Sequence, residues 1–113
     1  MTLSKEARIL ARAAKRVEKE LDIAFSAKIK QRDEWKCCIC GKSDNLHCHH
    51  IIPREDRIFR HDVNNGITLC CFHHKFSLGI SPHKNSFAFY MWLMAHRPEQ
   101  YNYLSRSYFG AAI

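Results

Sequence analysis

Apolar residues in the first part of the chain recur at alternating steps of three and four. Leu3, Ala7, Leu10, Ala14, Val17 and Leu21 therefore fall on one stripe of a helix. Ser4 is placed to cap it, and Glu6 lies near the positive end of the helix dipole. Neither Gly nor Pro occurs before Gly41, so the pattern predicts a helix over about Ser4 to Arg32, with a break near Asp22 to Ser26 left open. Its polar faces carry Lys5, Arg8, Arg12, Lys15, Arg16 and Lys19. Two readings fit: an amphipathic helix packed on the domain, or a basic arm or pairing surface. Leu46 to Ile52 alternates loosely and stops at Pro53, the pattern of a short strand. Ile67 to Cys70 reads as a second strand, and Cys71 to Leu78 as a short helix closing at Gly79. After Ser81-Pro82, Asn85 is a cap for a helix from Ser86 to about His96. Pro98 breaks it, and Glu99 to Arg106 adds another turn or two. The aromatic run Phe87, Phe89, Tyr90 and Trp92 is expected in the core rather than stacked on bases.

The order helix, hairpin, helix, helix predicts an α+β chain. The 113 residues suit one domain with modest appendages. These are a basic amphipathic helix (1–34), a central core (35–80) and an aromatic helical cap (81–113). No apolar run approaches the roughly 20 residues of a membrane span, so no membrane partner is expected. The N-terminus has no apolar signal core, because charges recur from Lys5 to Glu20. Export is not expected, and the six cysteines read as reduced thiols and metal ligands of a cytoplasmic, bacterial or phage-encoded protein. A net charge of +7 and a pI near 9.3 favour a polyanionic partner, without separating DNA from RNA or an anionic membrane surface.

Two interleaved sets of ligand-type residues change the picture. Cys37-x-x-Cys40 and Cys70-x-x-His73 have the spacing of paired zinc knuckles. Zinc takes four thiolate and imidazole ligands in a closed tetrahedron. A core of some 45 residues is too small to bury enough apolar surface unaided, so the ion would supply folding free energy directly. Gly41 lets the knuckle turn back on itself. Cys38 and Cys71 are competing ligands, but Cys37 and Cys70 preserve both two-residue gaps; Cys48 is expected simply to pack. The second set is His49-His50, Asn65 and His74: imidazoles for a metal, a spare imidazole as a base, and an amide.

His49-His50-Ile51-Ile52-Pro53-Arg54, Asn65-Gly66-Ile67-Thr68-Leu69-Cys70 and His73-His74-Lys75-Phe76 together resemble the HNH endonuclease family of the ββα-metal, or His-Me finger, superfamily. The similarity runs over about Trp35 to Gly79 and includes the zinc knuckles many members carry. It implies a small ββα-metal core stapled by structural Zn²⁺ and flanked by the N-terminal and C-terminal helices. It implies His50 as general base, His49 and His74 as ligands of a catalytic divalent cation, and Asn65 fixing the His50 ring, with Asn64 the weaker substitute. His49 stands where an acidic residue is common, which shifts the expected cation from Mg²⁺ toward Mn²⁺, Ni²⁺, Co²⁺ or Zn²⁺. Arg54, Arg57, Arg60 and Lys75 are expected to grip phosphates beside the scissile bond. His47, His61, His83 and His96 are expected to be ordinary surface or packing histidines.

The expected activity is metal-dependent hydrolysis of double-stranded DNA, by nicking or double-strand cleavage. A homodimer through the N-terminal helix, or an accessory specificity protein, would complete it. The alternative is a non-catalytic, zinc-dependent nucleic-acid-binding module.

Overall fold

The computed structural model describes residues 2–112, and side chains from residue 2 to 110. Helix α1 (Lys5–Arg32) is unbroken, and its Ser4 cap accepts a hydrogen bond from the Ala7 amide at 3.1 Å. Only Phe25 and Ile29 of this helix are buried. The alternating stripe does not face the domain: Leu3, Leu10 and Val17 are 60%, 70% and 55% exposed. The reason is geometric. Glu18, Asp22, Phe25 and Ile29 define a different face, which carries both buried residues of the helix and its ion pairs to Arg57, Arg60 and His61, while the earlier turns are almost wholly exposed.

Strands β1 (Leu46–His50) and β2 (Gly66–Cys70) form a two-stranded antiparallel sheet, with Leu46 opposite Cys70 and His50 opposite Gly66. Together with the helices this makes the described residues an α+β fold. Every residue of β2 is buried. Its outer edge is not left open: Thr68 donates its amide to the Asp33 carboxylate at 3.0 Å, and the Cys38 amide donates to the Thr68 carbonyl at 2.9 Å. Covering an edge in this way blocks pairing with other strands. Asp33 in turn binds Arg32 and Arg97, tying the end of α1 to the C-terminal region.

Helices α2 (Ser86–His96) and α3 (Pro98–Ala112) close the other side. Asn85 caps α2, accepting from the Ala88 amide at 3.1 Å. Phe89, Leu93 and Leu104 join Ile51, Phe59, Ile67 and Leu69 in the core. Phe87, expected in that core, is 76% exposed, because it lies on the face of α2 opposite Phe89 and Leu93. α3 is longer than the one or two turns its sequence suggested. Pro98 starts it, since proline is favoured in a first helical turn, where its missing N–H goes unneeded. Contacts to the centre then hold it: Gln100 donates to the Asn64 and Gly66 carbonyls at 2.7 and 2.9 Å, and Tyr103 donates to Asp62 at 2.7 Å. Among the described residues no helix is long and apolar enough to cross a membrane.

Candidate metal centres

A single turn of π-helix at Phe72–Phe76 follows β2, closed by the Ser77 amide on the Phe72 carbonyl at 2.9 Å. Such turns are rare and concentrate at functional sites. Here it sends two adjacent imidazoles to two different clusters, His73 to one and His74 to the other.

In the first cluster Cys37, Cys40, Cys70 and His73 present ligand atoms that all lie within 4.8 Å of one another. Cys40 Sγ is 3.8 Å from Cys70 Sγ, Cys70 Sγ is 3.2 Å from His73 Nδ1, and Cys37 Sγ is 3.9 Å from His73 Nδ1. Tetrahedral zinc with bonds of about 2.0–2.3 Å has ligand–ligand edges of roughly 3.3–3.8 Å. The four residues therefore fit a structural zinc ion. The knuckle is shaped by Gly41, whose φ of 78° is left-handed, with its amide donating to the Cys37 carbonyl at 2.8 Å. Burial works against ionising Cys37, but amides of Cys70, Cys40 and Ile39 outweigh it and bring the thiol below its ordinary value. The competing Cys38 faces Arg97 instead, and burial pushes its thiol up to about 11. Burial does the same to Cys48. Both are packing thiols.

The second cluster is built on the other face of β1. Side chains alternate along a strand, so His47 and His49 point one way and His50 the other. His74 Nε2 lies 3.1 Å from His49 Nδ1 and 3.1 Å from His83 Nε2, and its Nδ1 lies 2.9 Å from His47 Nδ1. His49, His74 and His83 are close enough to share one ion. The sequence pattern gives His83 no ligand role, yet the turn at 77–85 brings it to His74 beside the π-helix. That turn is held by Ser81, which is fully buried and donates its hydroxyl to the His74 carbonyl at 2.7 Å. Burial first, then neighbouring imidazoles, holds the pKa of His49 near 3 and that of His74 near 4. Burial followed by Lys75 and Lys30 lowers His47. His49 and His74 are thus neutral, the form that binds metals, well below neutral pH.

His50 leaves β1 on the opposite face but is the strand's last residue, and it still borders the cleft of His49, His74 and His83, a space of about 580 Å³ that Arg54, Lys75 and Tyr90 also border. Its ring stacks on Phe25, with centroids 5.0 Å apart and planes 24° apart. Its Nε2 lies 2.9 Å from the Arg60 carbonyl. A carbonyl only accepts, so Nε2 carries the proton and Nδ1 keeps its lone pair. Burial lowers the His50 pKa, against the raising effects of that hydrogen bond and of Asp22.

Asn65 does not touch His50, contrary to the expectation. It is fully buried, its Oδ1 accepts from the Ile52 amide at 2.6 Å, and its Nδ2 donates to the Ile52 and Phe59 carbonyls at 2.9 and 3.1 Å. The side chain clamps both ends of the 52–59 loop, whose next residue supplies the carbonyl that orients His50. Of the four expected phosphate-gripping cations, Arg54 and Lys75 border the cleft. Arg60 is engaged instead: its guanidinium binds Asp22 at 2.7 Å and Glu18 at 2.9 Å, and its side chain is only 14% exposed. Arg57 reaches Glu18 at 3.2 Å from an exposed position. His61 binds Asp22 and His96 stacks on Trp92.

The chain matches no protein family, no curated protein and no solved structure.

Proposed function

We propose that the protein is a metal-dependent endonuclease of the HNH type, hydrolysing phosphodiester bonds in DNA around His49, His50, His74 and His83. The observation that carries this reading is one cleft with two kinds of imidazole. Three imidazoles have ligand atoms within reach of a single ion, and a fourth borders the same space with its free nitrogen set by a backbone carbonyl. A packing cluster has no need of that division. The sequence of two antiparallel strands and a helical turn, with the zinc set pinning its ends, also suits a ββα-metal core.

His49, His74 and His83 would hold the cation, which when bound neutralises charge growing on the phosphate and on the departing oxygen. His50 takes a proton from the attacking water at Nδ1, while its Nε2–H stays on the Arg60 carbonyl and steadies the ring. Arg54 and Lys75 draw the flanking phosphates into the cleft without reading bases. Phe25 covers one face of the His50 ring and limits its rotation. Three imidazoles favour Mn²⁺, Co²⁺, Ni²⁺ or Zn²⁺ over Mg²⁺.

The zinc cluster on its own suits a nucleic-acid-binding module equally well, so the decisive experiment is catalytic. Supercoiled plasmid is incubated with zinc-loaded protein and each divalent cation, with His50→Ala as the control. Cleavage that disappears in His50→Ala, with zinc content and DNA binding retained, is the expected result. Intact plasmid across all cations would leave the binding module, and unchanged cleavage by His50→Ala would refute the assigned base.

A further inference from the structure

The exposed half of α1 offers a charged surface that the cleft chemistry does not use. Arg8, Arg12, Lys15, Arg16 and Lys19 recur at spacings of three and four, which at 3.6 residues per turn places them on one face. All five are exposed, and among the described residues none forms an ion pair. The helix does carry acids, but two of them are already spent. Glu18 binds Arg57 and Arg60, and Asp22 binds Arg60 and His61. These acids lie on the domain-facing side, so their neutralisation leaves the outer face with unbalanced positive charge.

That face also leads to the cleft. Beyond Lys19 its line continues through Ile23, Ser26 and Lys30 at steps of four, three and four, and Lys19, Ser26 and Lys30 border one shallow hollow with Trp35. This end of α1 packs against β1, and the β1 residue His47 touches His74 at 2.9 Å. From Arg8 to Lys30 the helix rises about 33 Å at ~1.5 Å per residue. This is close to one turn of B-form DNA, about 34 Å.

We propose that α1 is a backbone-tracking arm, laying its basic face against the phosphates of duplex DNA about one helical turn to one side of the cleft. The arm rests on the proposed DNA substrate but acts on binding rather than cutting. Its rigid attachment through Phe25, Ile29 and the Glu18–Arg60–Asp22 bridge lets it hold a fixed direction. Backbone contacts of this kind give affinity and salt dependence without sequence information. A second copy of the chain is the competing occupant of α1, through the exposed Leu3, Leu10 and Val17 stripe. The charges argue for DNA: the basic face is the one that pairing through that stripe would leave unsatisfied.

The test compares the zinc-loaded full chain with a variant carrying Arg8→Gln, Arg12→Gln, Lys15→Gln, Arg16→Gln and Lys19→Gln. Glutamine preserves helix propensity, and circular dichroism confirms helix content. Binding to a 40-bp and a 10-bp duplex is measured by fluorescence anisotropy over a range of salt, with sedimentation of both proteins in parallel. On the long duplex the variant should lose up to about 4.5 units of the log–log salt slope, since each of the five phosphate contacts carries roughly 0.9. The 10-bp duplex should bind the two proteins far more equally. An unchanged salt slope on the long duplex overturns the arm. So does a change from dimer to monomer that by itself accounts for the lost affinity. Because binding is read without cleavage, a slope that falls in a protein that never cuts plasmid would sustain the arm and sink the nuclease reading.

Discussion

At the scale of single residues, His83 is the sharpest addition. Its Nε2 sits 3.1 Å from His74 Nε2, so His83→Ala should weaken cation binding at the cleft. Removing residues that merely support a ligand costs about 10–100-fold in affinity, and a direct ligand should cost at least as much. Competition of Co²⁺ or Ni²⁺ against a chromophoric chelator measures this, with His96→Ala as the control expected to change nothing. Unaltered affinity in His83→Ala would remove it from the ligand set. Order and spacing mark His49, His50 and His74 in the sequence, but nothing there marks His83. Ser81-Pro82-His83 has no ligand spacing; only the π-helix and the buried Ser81 hydroxyl bring it round. Asn65 shows the opposite failure. Its place in the motif marks it in the sequence, yet its partners are backbone atoms of a loop, and no side-chain pattern announces those.

At the scale of elements, the packing of α1 on the hairpin depends on Gly66. A Cβ there would stand 2.6 Å from Ile29 Cγ1 and 2.9 Å from both Ile29 Cδ1 and Phe25 Cζ. Gly66→Ala should therefore push α1 away and destabilise by about 1–3 kcal/mol, read as a lower urea midpoint. Adding Ile29→Val, which trims the obstructing side chain, should recover part of the loss; no recovery would place the strain elsewhere. The strands, the caps Ser4 and Asn85 and the extent of α1 were all legible, because local rules govern them. The face α1 buries was not. The longest apolar stripe lies where the core has ended, and the two residues that do pack, Phe25 and Ile29, form too short a pattern to stand out. The length of α3 was hidden for a related reason, since Gln100 and Leu104 hold it through distant partners.

At the scale of the whole molecule, the Cys37, Cys40, Cys70 and His73 set fits a zinc ion, and the histidines give stability an acid response. Cys40→Ser, or removal of zinc by chelation, should unfold the central region, because metal binding at such sites is folding free energy; far-ultraviolet circular dichroism would report it. The pH dependence has a definite sign. His49 and His74 have folded pKa values near 3 and 4 against an ordinary value of 6.5. Between those limits the unfolded chain binds more protons, so stability rises with pH there. Their contribution is complete above about 6.5 and is lost as pH falls through 4 and then 3. Urea midpoints of zinc-loaded protein should fall between pH 6.5 and 4 more steeply than those of a His49→Asn, His74→Asn double variant; equal slopes would contradict this. The adjacency of His73 and His74 on one turn carries this dependence further. Neighbouring peptide units cannot drift independently, so on the proposed nuclease reading a cell starved of zinc would disarm the cleft even with ample manganese at hand. Supply of one element would then govern chemistry performed with another.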